Sequence, residues 1–188
     1  MSDRAATGSS TRSRLRGRET ANGVSVRGLL GAGVFGFGFS GLIDVLLLHL
    51  VLQWHHLVSG IYPMGTLAGL RTNVFADGLF SIAMVVIACI GAGVLWRSER
   101  RSDVRLAMQP LAGSALIGLG VFDLFDAIVD HALLGFHQPL SQGGQYNPHW
   151  TAVSLLFVLA GYYVYRTGTR AEGSETAETA QRADETES

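Results

Sequence analysis

The residues able to do chemistry in this chain are six histidines and a handful of aspartates, and their placement is uneven. His49, His55 and His56 follow one long apolar run, His131 and His137 close another, and His149 opens the last. Asp77 begins a further apolar run, and Asp130 sits beside His131. Asp44, Asp123 and Asp126 lie deeper within apolar sequence. Neither the polar N-terminal segment nor the C-terminal tail contains a histidine. Carboxylates inside a bilayer are costly and face a bundle interior, a partner or water.

Helical spacing groups these residues further. At helical periodicity Asp123, Asp126 and Asp130 fall within about 60° of one another, and His137 extends that stripe if the helix survives Gly135. Asp44 and His55 share a second face, with His49 and His56 about 120° away. Three carboxylates on one stripe, with no arginine at that depth, demand protons, water or a bound cation. Imidazole and carboxylate suit a transition metal such as zinc, copper(II) or iron. Soft ligands are missing, because Cys89 lies mid-span and Met64 stands alone in a loop. The best-placed metal ligands are His49, His55, His56, Asp77, Asp130 and His131. Asp44, Asp123, Asp126 and His137 then orient them or form a proton path. The plainer readings are an interfacial His149, a helix-capping Asp77 and a polar network that only packs helices.

The elements that must position these groups are transmembrane helices. Of 188 residues 48% are hydrophobic and 15% charged, with 24 glycines, one cysteine and no lysine. That charge content is well below the roughly 25% of soluble domains, which excludes a disordered chain, a disulfide scaffold or an ordinary soluble enzyme. A net charge of −1 gives no reason to expect nucleic acid. Four apolar runs, 29–54, 74–96, 111–136 and 150–165, predict an all-α, up-down four-helix bundle in a lipid bilayer, with no detectable internal repeat. The spans fill residues 28–166, between an arginine-rich segment, 1–27, and a disordered acidic tail, 167–188. That first segment is too long and polar for a cleaved signal peptide.

Arginine sets the expected orientation. Arg4, Arg12, Arg14, Arg16, Arg18 and Arg27 precede the first span, Arg97, Arg100, Arg101 and Arg105 follow the second, and Arg166 and Arg170 follow the fourth. The positive-inside rule therefore predicts cytoplasmic termini, with the histidines at the outer face of a prokaryotic plasma membrane. Gly31-Ala32-Gly33-Val34-Phe35-Gly36 matches a dinucleotide-binding pattern, but without a preceding strand it reads as a surface for close helix approach.

The elements Asp44-x4-His49-x3-Gln53-Trp54-His55-His56, Asp77-Gly78-Leu79-Phe80 and Asp130-His131-x3-Gly135-x-His137 resemble the predicted membrane protein family called domain of unknown function 2243. The resemblance runs from about residue 29 to 165 and implies a small multi-pass membrane protein of bacteria or archaea, with no established activity. It places the family's recurrent polar positions on Asp44, His49, His55, His56, Asp77, Asp130, His131 and His137. The chain departs from the family pattern at Ser81, Ala132 and Gln138, where histidines are expected, and at Asp123 and Asp126, where asparagine and glutamate are expected.

Four functions fit these residues. The first is a metal-binding membrane protein, an oxidoreductase or a metal-handling accessory, in which an open coordination position would allow catalysis. A proton- or ion-conducting module would use Asp44, Asp123 and Asp126 and, with four helices, would need to form a homo-oligomer. A structural subunit of a membrane complex would bind no metal. Facing histidines would also suit haem.

Overall fold

The computed structural model describes residues 25–100, 107–140 and 144–187. Most of the N-terminal arginines, Arg101, Arg105 and Ser188 therefore lie outside the described residues. Four helices run in chain order, and the described residues contain no strand. Helix α1, Val26–Asp44, continues into a π-helical stretch, Val45–Val51. Helix α2 covers Leu67–Glu99. Helix α3, Met108–Phe125, likewise continues into a π-helical stretch, Asp126–Leu133. A single 3-10 turn, Gly144–Tyr146, leads into helix α4, Asn147–Glu187.

Caps explain where the first two helices start. Ser25 Oγ accepts from Gly28 N at 3.0 Å, and Thr66 Oγ1 accepts from Gly69 N at 3.1 Å. Each satisfies an amide that the helix itself leaves unpaired. The Thr66 cap starts α2 seven residues before the apolar run does, so Asn73 and Asp77 are helical and fully buried. Asp77 is thus an interior residue of α2 and not its cap. At the other end of the chain, α4 carries its helix through the expected disordered tail to Glu187. Beyond Gly168, which packs on Pro110, that extension is largely exposed; it is rich in Ala and Glu, which favour helix locally, and Arg182 pairs with Glu178 one turn away.

Three stretches are long and apolar enough to cross a membrane: Val26–Val51, Leu67–Glu99 and Met108–Leu133. The apolar part of α4 is shorter and packs against α3. Helices α1 and α3 form a central pair running in the same direction, with α2 antiparallel on α1 and α4 antiparallel on α3. Glycine makes the crossing possible: a Cβ on Gly36 would strike the Ala115 carbonyl, and one on Gly118 would strike that of Gly33. The glycine pattern of α1 is thus a helix-packing surface, as its membrane setting predicts.

The same contacts reveal an internal repeat that the sequence reading missed. Eighty-two residues separate Gly31 from Gly113, Gly36 from Gly118, Asp44 from Asp126, His49 from His131 and His55 from His137. Seventy separate Gly91 from Gly161 and Met84 from Ser154. Gly31 meets Gly91 and Leu95, and its counterpart Gly113 meets Gly161 and Tyr165. Gly38 approaches Met84 and Ala88, and its counterpart Gly120 approaches Ser154 and Val158. The α1–α2 and α3–α4 hairpins are therefore two copies of one unit, related by a pseudo-twofold axis between α1 and α3. The glycines at the contacts and the Asp and His residues recur identically, whereas most of the apolar positions between them differ, because there one apolar residue serves as well as another.

Candidate metal centre

The histidines are delivered by two equivalent helix ends. Hydrogen bonding in a π-helix links residues five apart, which brings Asp44 over His49 and Asp126 over His131. On a regular α-helix residues five apart diverge, which is why helical spacing placed Asp44 and His49 on different faces. Each π stretch then closes in the same way. Leu52 N donates to Leu47 O and Trp54 N to Leu48 O; Leu134 N donates to Val129 O and Phe136 N to Asp130 O. The residue at the corner is left-handed in both, Gln53 at φ 51° and Gly135 at φ 62°. This C-terminal motif throws His55 and His137 back over the helix ends. Gly60 N donates to Phe136 O at 2.7 Å and joins the two turns.

Four imidazoles meet there. His55 and His137 are stacked with ring centroids 4.6 Å apart, and His49 and His131 flank them edge-on. The flanking distances, His49 to His55 and His131 to His137, are both 4.6 Å, as the repeat requires. All four are buried. The ligand atoms of His49, His55 and His137 lie within 4.8 Å of one another, as do those of Asp126, His131 and His137.

Most of these rings are held by one nitrogen and offer the other. His49 Nδ1 donates to Asp77 Oδ1 at 2.8 Å, His55 Nδ1 to Pro139 O at 3.0 Å and His137 Nδ1 to Leu57 O at 3.2 Å. Carboxylate and carbonyl oxygens only accept, so the ring proton sits on Nδ1. In the neutral ring the lone pair is left on Nε2, and in all three rings Nε2 is buried without a hydrogen bond, although a carboxylate oxygen lies 3.4 Å from it in His49 and 3.3 Å from it in His137. Buried polar atoms are normally satisfied; three converging exceptions describe a place built for something that accepts lone pairs. The loop residue His55 is also held neutral: burial above all pushes its pKa down to about 3. A neutral imidazole is the form that binds metal.

The carboxylates divide by role. Asp77 holds His49, His56 Nδ1 at 2.5 Å and Leu57 N at 2.9 Å, so both its oxygens are spent orienting other groups. Asp126 reaches His131 Nε2 at 3.0 Å and His137 Nε2 at 3.3 Å. Asp44 Oδ2 lies 3.4 Å from His49 Nε2, while its Oδ1 is buried without a partner. Asp123 sits deeper and accepts from Ser40 Oγ at 2.8 Å. Asp130 supplies its main-chain carbonyl to Phe136, and its carboxylate makes no hydrogen bond among the described residues. His149 is exposed beside Tyr146, away from the cluster.

Of the residues expected as ligands, His49, His55 and His131 converge, whereas His56, Asp77 and Asp130 stand around them. His137 and Asp126, expected as supporting residues, instead lie at the centre. The signal for them was present in the spacing: Asp-x4-His-x5-His occurs at Asp44, His49 and His55 and again at Asp126, His131 and His137. The rings also pack on one another too closely to leave a slot for a macrocycle between two facing histidines.

No curated protein and no solved structure matches the chain. One family does, over residues 31–168, which includes every helix that carries the cluster. The chain belongs to the family described as predicted membrane protein DUF2243.

Proposed function

We propose that this membrane protein binds a first-row transition-metal ion between the ends of α1 and α3. The observation that carries the reading is the convergence of buried Nε2 atoms on His49, His55 and His137, none of which makes a hydrogen bond. Their Nδ1 partners are the supports that fix ligating histidines elsewhere, raising basicity and locking the tautomer. The nitrogen and carboxylate donors favour zinc, iron or copper(II). With the arginine bias as guide, the centre lies near the outer face of a prokaryotic plasma membrane. The protein then acts as a metal-handling accessory or, if a coordination position stays open, as an oxidoreductase. Elemental analysis of the detergent-purified protein tests this. Wild type should carry stoichiometric metal, and a His55→Ala, His131→Ala variant of unchanged helicity should carry none. A metal-free wild type, even after exposure to zinc, iron and copper, would overturn the reading.

One observation favours a second reading. Asp123, Asp126 and Asp130 are all buried within eight residues of one helix, the setting of a proton path. Unchanged proton flux in proteoliposomes on replacing Asp123 and Asp126 with asparagine would eliminate it.

A further inference from the structure

We infer that the centre is a two-ion site, with one divalent ion held by each repeat. This rests on the metal-binding reading and adds the number and partition of the ions. The two ligand groups that the structure brings together share His137. With Nδ1 donating to Leu57 O, His137 keeps one lone pair, on Nε2, and can serve only one ion at a time. The repeat shows how the ligands divide. Asp126, His131 and His137 come from one π turn and its corner, with Asp126 already within 3.3 Å of both rings. Their counterparts 82 residues earlier are Asp44, His49 and His55. Each set is two imidazoles and one carboxylate, a donor set that binds divalent metals and leaves positions open.

Two independent observations support a second ion. The buried atoms without hydrogen-bond partners fall on both sets: Asp44 Oδ1, His49 Nε2 and His55 Nε2 in one, both nitrogens of His131 and His137 Nε2 in the other. A single ion among His49, His55 and His137 would leave Asp44 Oδ1 and the Asp126–His131 pair outside its coordination. Charge points the same way. Asp44, Asp77, Asp123, Asp126 and Asp130 are all buried, and their ion pairs among the described residues are to histidines alone. With all five ionised, one divalent ion leaves three negative charges uncompensated in an apolar layer and two ions leave one.

The halves are not equal, and the difference sets an order of binding. Asp77 grips His49 in the first repeat. The position 70 residues later is Asn147, whose Oδ1 is buried and unpartnered while His131 Nδ1 also lacks a partner. A charged support makes His49 the stronger donor. The first ion therefore takes His49, His55 and His137, which already converge. The second takes Asp126 and His131, recovers His137, and leaves Asp44 to replace it on the first ion. Binding is stepwise, and the second step is weaker.

Titration of the metal-stripped, detergent-solubilised full chain with Zn²⁺ or Cu²⁺, followed by desalting and elemental analysis, tests this. Two ions per chain in two resolved steps are expected. Copper electron paramagnetic resonance should show spin–spin broadening at two equivalents and none at one. His131→Ala should remove the weaker step alone, and His49→Ala the tighter. One ion per chain, or an uncoupled copper signal at saturation, would overturn the two-ion assignment while leaving a metal site intact. No ion at all would overturn the metal reading beneath it. Should either variant fail to fold, the wild-type stoichiometry and spectrum still decide.

Discussion

Asp77 shows how much one side chain can organise. It lies on α2 yet has no part in lipid contact; it receives two imidazoles and a main-chain amide from the α1 turn and fixes where His49 Nε2 points. An asparagine there keeps the shape but gives up the charge and turns one acceptor into a donor. Asp77→Asn should therefore weaken metal binding by about 10–100-fold, the usual cost of losing a support behind a ligand, with the helices intact; competition with a chelating dye would measure it. His55 sets an acid limit. Its pKa is about 3 folded, against 6.5 for the free side chain. Between those values the unfolded state binds the extra proton, so stability falls as pH drops below about 6.5. Melting of the metal-free protein from pH 8 to 4 should show this decline, and His55→Gln should flatten it. A melting temperature independent of pH in both proteins would contradict the buried, neutral assignment.

At the scale of elements, the two π turns carry the site and the glycine crossing carries the fold. Both π stretches end at a left-handed corner, and only the second uses glycine there. Gln53 holds a conformation that is unusual for a residue with a Cβ. The crossing is tighter still, since at Gly36 even a methyl group would collide with backbone and not with a flexible side chain. Gly36→Ala should lower the melting temperature in detergent sharply, by separating α1 from α3 and with them the two histidine pairs. Gly93→Ala provides the contrast. An added Cβ there meets nothing within 4 Å, so alanine should be neutral or stabilise by roughly 0.5–1 kcal/mol through helix propensity. Equal effects from both substitutions would refute the packing role of the crossing.

At the scale of the molecule, two hairpins of like orientation share one axis, and the site lies on it. Helices α1 and α3 run in the same direction, so their equivalent ends lie together at one end of the bundle. The centre is therefore assembled between repeats within one chain, as a symmetric dimer would assemble it between subunits. Arginine predicts which face that is. In a Cys89→Ser background, a cysteine at exposed Gln145 should react with a membrane-impermeant maleimide added to intact cells, whereas one at Ser174 should react only after lysis. The reverse pattern would put the centre on the cytoplasmic side.

Composition and hydropathy by themselves determined a helical membrane chain, because a bilayer admits few other ways to satisfy the backbone. They also marked the histidine-bearing end, since a charged or polar side chain among apolar residues stands out without any knowledge of packing. The start of α2 at Leu67 was not legible, being set by a threonine cap and not by hydropathy. Nor was the persistence of α4 past Gly168, where helix propensity acts with little burial. The roles within the cluster needed the tertiary structure. A spacing of five residues separates two side chains on an α-helix and aligns them on a π turn, and the letters Asp44 and His49 are the same in either case. His137 follows Gly135, so whether it continued the stripe or turned back over it depended on one left-handed corner. The pairing of His55 with His137 depended on two turns, 82 residues apart, meeting across an axis that exists only once α1 and α3 have packed.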